Sequence, residues 1–124
     1  MSTFTEVIRV LNPQRPEAGE ELNLLVDTGA SFSWISRNRL DRLGIKASHR
    51  MPFRTIEGRT LERDMAEVRI SKQDRNVPDL VVMAEAGEME VIGAHSIEAL
   101  GMAADPVQGK LVPTVMLALG STKL

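Results

Sequence analysis

The sequence predicts a mostly β domain that carries one or two short helices. Several stretches of strand length alternate apolar with polar residues, as expected for strands that pack on a core. Clusters of Gly, Pro, Asn and Asp separate these stretches. Two short segments that end at a glycine have the pattern of a helix. With 124 residues, 43% of them hydrophobic, we expect a single domain over residues 1–124.

Composition excludes several functional classes. Fifteen Lys and Arg stand against seventeen Asp and Glu, so no basic surplus would attract nucleic acid or anionic lipid. The lack of cysteine excludes disulfides, thiol catalysis and cysteine-bound metal. No stretch approaches the roughly 18 apolar residues that span a membrane, and residues 1–11 lack a signal-peptide pattern. We therefore expect a cytoplasmic protein with no nucleic-acid or membrane partner.

Turn-forming residues set the predicted limits of the strands. Strands are predicted over residues 4–11, 20–26, 32–35, 51–56, 60–70, 77–83 and 110–119. Residues 12–19 predict the first turn and residues 71–76 a charged turn. Pro78 predicts a strand start or a sheet edge, because proline cannot donate a ladder hydrogen bond.

Helix-ending glycines and one glycine turn complete the predicted elements. The first helix runs from an N-cap at Ser36 to Gly44, and the second contains Ile97 and ends at Gly101. The segment 57–59, Glu-Gly-Arg, joins two predicted strands, which indicates a projecting hairpin with a polar tip.

The most informative stretch is an apolar run, residues 24–26, that ends at Asp27 and continues as Thr28-Gly29-Ala30. A strand that ends in an acid followed by glycine holds a carboxylate at a fixed point with exposed backbone beside it. This is how a catalytic acid would be presented. The alternative interpretation is that Asp27 only caps a tight turn, since Asp and Gly are common turn residues.

A second motif repeats the plan of the first. Residues Val91 and Ile92 lead into Gly93, and a short predicted helix follows. The two halves of the chain therefore look like a diverged internal duplication, although short strand-turn-helix units are common in proteins.

The chain resembles the retropepsin-like aspartic proteases, in particular the small single-domain bacterial members. The residues that carry the resemblance are 24–31 (Leu-Leu-Val-Asp-Thr-Gly-Ala-Ser), the hairpin at Gly58, 91–93 (Val-Ile-Gly) and motifs within 100–113. The resemblance implies a closed, barrel-like β fold, a homodimer, and hydrolysis of an extended peptide without cofactor or metal.

The resemblance also implies roles for individual residues. Asp27 is the expected catalytic residue, and Thr28 is expected to hydrogen-bond across the dimer axis. Gly29 would let the substrate backbone approach, and Ala30 would line the cleft. The expected flap, which closes over the substrate, consists of Ile56, Glu57, Gly58 and Arg59.

The chemistry independently calls for a second chain. Peptide hydrolysis by carboxyl groups needs one ionised acid and one protonated acid that share a proton. No other aspartate is followed by Thr-Gly or Ser-Gly, and Ile92 stands where a second acid would be expected. We therefore expect the second acid to be Asp27 of another subunit, brought close by a twofold axis.

The sequence departs from the retroviral members of the family at three places. Those members often carry an acid and an arginine that pair with each other, where this chain has Ser31 and Ala94. Retroviral flaps are rich in glycine and apolar at the tip. Here the tip has one glycine, Gly58, between Glu57 and Arg59.

Other interpretations of the motifs were compared with the protease. Sugar-kinase and actin-like ATPases also place an acid near Thr-Gly after a strand, but they need much longer chains, and no Gly-Lys-Ser/Thr motif is present. His49 and His95 lack metal-ligand spacing. A dimeric module of the same fold that binds peptides but cleaves weakly or not at all remains an alternative, because a fold does not fix a function.

Two expectations concern side chains near the motif. Trp34 is expected in the core beside the turn rather than on a substrate surface. The charged residues Arg37, Arg39, Asp41 and Arg42 are expected on a solvated helix face.

Overall fold

The computed structural model describes residues 3–115 and confirms the mostly β class. Its elements are β1 (Thr5–Asn12), β2 (Arg15–Val26), β3 (Trp34–Ser36), α1 (Arg37–Arg42), β4 (His49–Arg54), β5 (Thr60–Lys72), β6 (Arg75–Ala84), β7 (Val91–Ile92), α2 (Ala94–Ala99), β8 (Met102–Asp105) and β9 (Lys110–Pro113). Residues 116–119 of the predicted last strand lie outside the described residues.

The main sheet closes on itself. Seven strands pair in the order β1-β2-β7-β3-β6-β5-β4, and β1 also pairs with β5 through Arg9 opposite Ser71 and Leu11 opposite Arg69. This extra pairing joins the two sides of the sheet into a ring, with β4 outside it as one arm of a hairpin with β5. Strands β8 and β9 form a separate two-stranded sheet. The closed β architecture expected from the sequence is therefore confirmed.

One buried apolar cluster joins the ring and both helices. Along β5, Ala66, Val68 and Ile70 are buried on alternate positions, as the two-residue period of a strand requires. Leu40 of α1 and Ile97 of α2 pack into the same cluster. The helices therefore cover the ring rather than forming a separate layer.

The first predicted turn is too long. β2 begins at Arg15, and its pairing with β1 shifts between Gly19 and Arg15. Residues 16–18 form a bulge without partners on β1, where Pro16 has no ladder hydrogen bond to donate. Proline in this stretch therefore marks a bulge and not the loop that its presence predicted.

The predicted charged turn over residues 71–76 is also shorter in the structure. β5 continues to Lys72 and β6 begins at Arg75, so two residues make the turn, with Gln73 at a φ of 57°. A two-residue hairpin turn needs a residue with positive φ, and glycine or asparagine is the usual choice. Because this position is occupied by Gln73, the sequence did not indicate so short a turn. Pro78 lies on the part of β6 that precedes its pairing with β3, in agreement with the predicted edge position.

Glycine ends each helix as predicted. Gly44 and Gly101 have φ values of 75° and 66°, the left-handed conformation that glycine adopts without strain. Ser36 occupies the N-cap position of α1, but its side chain makes no capping hydrogen bond. Its backbone N–H donates instead to the Glu90 carboxylate at 2.8 Å. No helix within residues 3–115 is long and apolar enough to cross a bilayer.

Candidate active site

Asp27 lies on an exposed turn directly after β2. The Gly29 N–H donates to Asp27 Oδ1 at 3.0 Å, and the Ala30 N–H donates to the Asp27 carbonyl at 3.1 Å. A Cβ atom on Gly29 would lie 3.3 Å from Oδ1, so glycine keeps the carboxyl group uncrowded. Asp27, Thr28 and Gly29 are exposed. The carboxyl group is therefore oriented by its own turn and remains open to solvent, which fits both the turn-capping and the catalytic interpretation.

The second motif forms the buried support of this turn. β7 runs parallel to β2, and the Asp27 N–H donates to the Ile92 carbonyl at 3.0 Å. A Cβ atom on Gly93 would lie 2.7 Å from the Ala30 carbonyl oxygen and 2.5 Å from that of Phe32. Only glycine fits at this distance. The Ala94 N–H then donates to the Ala30 carbonyl at 2.8 Å, so the start of α2 is docked on the turn.

A chain of buried polar side chains extends this support. The Gly93 N–H donates to Ser33 Oγ at 3.0 Å, and Ser33 Oγ lies 2.5 Å from Ser96 Oγ. Ser96 Oγ donates to Asp79 Oδ2 at 2.5 Å, and His95 Nδ1 lies 2.8 Å from Asp79 Oδ1. Because the Ser96 proton points to Asp79, the Ser33 hydroxyl donates to Ser96. The Asp79 side chain has no exposed surface, so this carboxyl group supports the turn from behind.

Two cavities lie beside the Asp27 turn on the side of the hairpin. We call the larger one, of about 660 Å³, the wide pocket, and the smaller one, of about 240 Å³, the narrow pocket. The wide pocket is lined by Leu25, Asp27, Ala30, Trp34, Thr55, Glu57, Glu88, Met89 and Val91. The narrow pocket is lined by Gly29, Ala30, Ser31, Phe32, Trp34, Phe53, Arg54, Thr55 and Leu61. The structure thus brings the Asp27 turn, the hairpin and the 85–90 loop together around one cleft.

A third cavity opens on another side of Asp27. It has a volume of about 740 Å³. Its lining residues are Thr3, Phe4, Leu25, Val26, Asp27, Thr28, Ala104 and Pro106. Asp27 is therefore shared between this cavity and the wide pocket.

The predicted flap is a tight turn at the end of the β4–β5 hairpin. The Gly58 N–H donates to the Thr55 carbonyl at 2.9 Å, and the Thr55 N–H donates to the Arg59 carbonyl at 2.8 Å. Gly58 has a φ of 89°, which explains the single glycine of the tip. Ile56 is fully exposed, and of the four predicted flap residues Glu57 lines the wide pocket.

Comparison with known proteins now identifies the family. The model of the Aspartyl protease family matches residues 17–104. The chain belongs to the aspartyl protease family. The resemblance stated from the sequence is thereby confirmed, and the protein is a hydrolase of the aspartic endopeptidase class. No curated protein matches the chain significantly.

Solved retroviral proteases share the fold of this protease. EIAV protease complexed with the inhibitor HBY-793 is 20% identical, with a TM-score of 0.63 over 81% of this chain and 89% of that one. Simian foamy virus (mac) protease is 15% identical, with a TM-score of 0.50 over 75% of this chain and 92% of that one. These likenesses support the retropepsin-like fold.

Trp34 does not lie where the sequence analysis expected it. It is half-buried and lines both the wide and the narrow pocket. Its ring centroid lies 5.6 Å from that of Phe53, which in turn meets Phe32 edge-on at 6.4 Å. Three of the four Phe and Trp residues of the chain therefore gather beside the Asp27 turn. Ile35 of β3 is buried in the core, so the neighbouring Trp34 lies on the opposite face of the strand, towards the pockets.

Arg37 and Arg39 of α1 do not lie on a solvated helix face, whereas Asp41 and Arg42 are exposed as expected. Arg37 pairs with Asp64 at 2.7 Å and with Glu85 at 2.9 Å. Arg39 pairs with Glu90 at 3.0 Å, and also with Glu20 at 2.5 Å. Arg63 of β5 pairs with Glu88. Ion pairs therefore fix the 85–90 loop, which carries Glu88 and Met89 of the wide pocket.

The ion pairs with Arg37 and Arg63 favour the ionised forms of Glu85 and Glu88 in this loop. The hydrogen bond from Arg37 lowers the pKa of Glu85 and the pKa of Asp64 below their ordinary values. The hydrogen bond from Arg63 likewise lowers the pKa of Glu88. Partial burial opposes each shift and is outweighed. The loop therefore carries negative charge at mildly acidic pH.

Sequence reasoning missed the residues that act through long-range contacts. Ser33, Asp79 and Ser96 lie far apart in the chain, and the one available signal was an acid, Asp79, inside the apolar strand 77–83. His95 belongs to this network, and His49 contacts Ser48 at 2.7 Å. Within residues 3–115, no group of three His, Cys, Asp or Glu side chains is arranged to hold a metal.

Proposed function

We propose that this protease hydrolyses peptide bonds as a symmetric homodimer, with water activated between the Asp27 carboxyl groups of its two subunits. The observation that carries the proposal is the exposed Asp27 carboxyl group, which its turn orients at the junction of the wide pocket and the third cavity. The rest of the motif supports this assignment, because Gly93 and Ser33 hold the turn from behind.

The reaction needs two carboxyl groups in different protonation states. The ionised group takes a proton from water while the water oxygen bonds to the peptide carbonyl carbon. The protonated group donates to the carbonyl oxygen, and the C–N bond then breaks as the amine leaves with a proton. Two carboxyl groups a few ångströms apart cannot both ionise cheaply, so the pair shares one proton and titrates as a unit.

Neither of the other acids in the wide pocket suits the role of the second group. Glu88 is hydrogen-bonded by Arg63, which lowers its pKa and disfavours the protonated form that the reaction requires. Glu57 lies on the hairpin turn, a segment that must move for substrate to enter. The second carboxyl group is therefore assigned to Asp27 of a second copy.

The third cavity is the surface we assign to that second copy. It begins at Asp27 and Thr28 and continues over apolar Phe4, Ala104 and Pro106. A twofold axis beside Thr28 would bring the two Asp27 turns together, and it would bury the same surface on both subunits. Thr28 is exposed and free to hydrogen-bond across that axis.

The remaining motif residues bind the substrate. Exposed Gly29 and half-buried Ala30 leave backbone accessible, so an extended peptide can lie along the turn as an added strand. The flap, residues 56–59, closes over the peptide and excludes water. The exposed Ile56 side chain gives the flap tip one apolar contact for the substrate or for the other subunit.

The direct test compares wild type with Asp27→Asn on a random peptide pool between about pH 4 and 7, where a carboxyl pair titrates. Hydrolysis should fall by at least about 10²- to 10⁴-fold in the variant, the share that acid–base groups supply. Asp74→Asn is the matched control, because Asp74 is exposed in the β5–β6 turn. The control should cleave like wild type.

The dimer is tested in the same assay. Below the dissociation constant of the dimer, the rate should rise with the square of protein concentration. Mixing Asp27→Asn with wild type should reduce activity, because each mixed dimer has one catalytic carboxyl group. A rate that stays linear across concentrations at which sedimentation shows the dimer dissociating would exclude the shared site. If wild type and Asp27→Asn are equally inert while dimeric, the non-catalytic peptide-binding module becomes the better explanation.

A further inference from the structure

The wide and narrow pockets have unlike chemistry. In the wide pocket the charged lining residues are all acids, Asp27, Glu57 and Glu88, set beside apolar Met89 and Val91. In the narrow pocket the charged lining residue is a base, Arg54, and the volume is little more than a third of the wide one. The two pockets therefore select different side chains.

Trp34 divides one pocket from the other. It lines both cavities together with Ala30 and Thr55, and it is the largest of the three shared residues. Contact with the ring of Phe53, 5.6 Å away, fixes its position on the narrow side. The indole can therefore present one side to each pocket and keep their occupants apart.

We infer that the protease prefers peptides that place a lysine or arginine side chain in the wide pocket and a small apolar side chain in the narrow pocket, with Trp34 as the partition. This inference rests on the proposed function, since it assigns the pockets to the peptide that the Asp27 pair cleaves.

The wide pocket fits a long side chain with a cationic end. The aliphatic stem of lysine or arginine can lie on Met89, Val91 and the Trp34 ring, while the charged end reaches the acids. A cation over an indole face gains further attraction. Glu57 makes no ion pair within residues 3–115, so its charge is available to a ligand. Glu88 already pairs with Arg63 and adds little net negative charge, so Glu57 is the acid that a cationic side chain meets.

The narrow pocket excludes both large and basic side chains. Its apolar lining comes from Phe32, Trp34, Phe53 and Leu61. The aromatic rings pack on one another at centroid distances of 5.6 Å and 6.4 Å, so they cannot move apart to admit a large group without losing these contacts. Arg54 repels a basic side chain. Alanine- or valine-sized groups fit best.

The preference is measured by sequencing the cleavage products of a peptide pool. Because the twofold axis repeats both pockets, lysine and arginine should be enriched at one fixed distance on each side of the cleaved bond, and small apolar residues at a neighbouring position on each side. Glu57→Gln should reduce the basic preference by about threefold to fivefold, the effect of one partly exposed charge pair. Glu57→Lys should reverse it in favour of acidic residues.

Glu62→Gln is the matched control for Glu57→Gln. Glu62 lies on the same hairpin, is exposed, pairs with Arg50 at 3.7 Å and does not line either pocket. It should keep the wild-type preference. Trp34→Val should shift the preference at the narrow pocket towards larger side chains. Trp34→Phe, which keeps an aromatic ring, should produce a smaller shift. Equal effects of Glu57→Gln and Glu62→Gln, or no enrichment of basic residues in wild type, would overturn the inference.

Peptide binding separates this inference from the proposed function. Asp27→Asn should bind a lysine-containing peptide of the enriched sequence more tightly than its glutamate counterpart, and Glu57→Lys in the same background should reverse the order. If wild type does not cleave but this order holds, the proposed function fails and the pocket assignment stands. If wild type cleaves but does not prefer the lysine peptide over the glutamate peptide in binding or in cleavage, the pocket assignment fails and the proposed function stands.

Discussion

The Gly93→Ala substitution tests how closely the second motif holds the Asp27 turn. The added Cβ atom would lie 2.5 Å from the Phe32 carbonyl oxygen and 2.7 Å from that of Ala30, whereas ordinary contact begins at 3.4 Å. The two carbonyl groups would therefore have to retreat by roughly 0.7 to 0.9 Å. Both carbonyl groups belong to the backbone that continues from the Asp27 turn, so the added atom displaces the segment that holds the turn.

The size of both expected effects follows from this displacement. Overpacking a close-packed site costs about 1 to 3 kcal/mol in the free energy of unfolding. A misplacement near 1 Å at a catalytic group lowers kcat/KM on the order of 100-fold. Gly93 has a φ of −104°, which alanine adopts without strain, so the effect of the substitution is steric. Denaturant unfolding and peptide cleavage at a temperature where the variant is folded measure the two quantities.

Gly109→Ala is the control for a loss of stability alone. Gly109 has a φ of 67° in the β8–β9 turn, where the nearest atom to an added Cβ is 4.0 Å away. Alanine there should cost about 1 to 2 kcal/mol through backbone strain and leave kcat/KM at the wild-type value. If Gly93→Ala kept kcat/KM within twofold of wild type, the second motif would not position the Asp27 turn, and the reasoning would be wrong.

Two further predictions concern the buried network and the 85–90 loop. Asp79→Leu leaves the Ser96 hydroxyl without its acceptor and should lower the free energy of unfolding by about 1 to 3 kcal/mol. Asp79→Asn keeps an acceptor and should lower it less. Urea unfolding of both variants measures the difference. The pKa values of Glu85 and Asp64 are lowered in the folded state from 4.5 and 3.8, so their stabilisation is present above those values and is lost as pH falls below them. In Arg37→Met, the free energy of unfolding should fall less steeply as pH is lowered through this range. An unchanged pH dependence would show that the ion pairs of Arg37 contribute nothing to stability there.

Local backbone chemistry made much of the fold predictable. Gly44, Gly58 and Gly101 were each predicted at a turn or helix end, and each has positive φ. The alternation that predicted strands also holds in β5, where Ala66, Val68 and Ile70 are buried. Such features depend on residues a few positions apart, so the sequence carries them directly. The turn predicted from Pro16 was wrong because proline occurs in bulges as well as in loops. Which of the two forms depends on the pairing with the partner strand.

The support of the site could not be predicted from local patterns. Ser33 and Ser96 are 63 residues apart in the chain, and their hydrogen bond exists only because β7 brings α2 against the Asp27 turn. The same holds for Arg37, which meets Glu85 across 48 residues. From the sequence alone, a charged helix face is interpreted as solvated, because the residues that form ion pairs with it are not yet known. Long-range pairing, not composition, decides where such side chains lie.

The register of the two motifs explains why one chain offers one carboxyl group. Val26 of β2 pairs with Ile92 of β7 in parallel, so the next position sets Asp27 beside Gly93. The counterpart of Asp27 is thus the residue whose added Cβ would collide with the Ala30 and Phe32 carbonyl groups. Ile92, the position suggested from the sequence for a second acid, is 1% exposed, so a carboxyl group there would be buried in the core. Position 93 must be glycine to support the turn, so it cannot also supply a second acid. The proposed dimer meets both requirements by using the first motif twice.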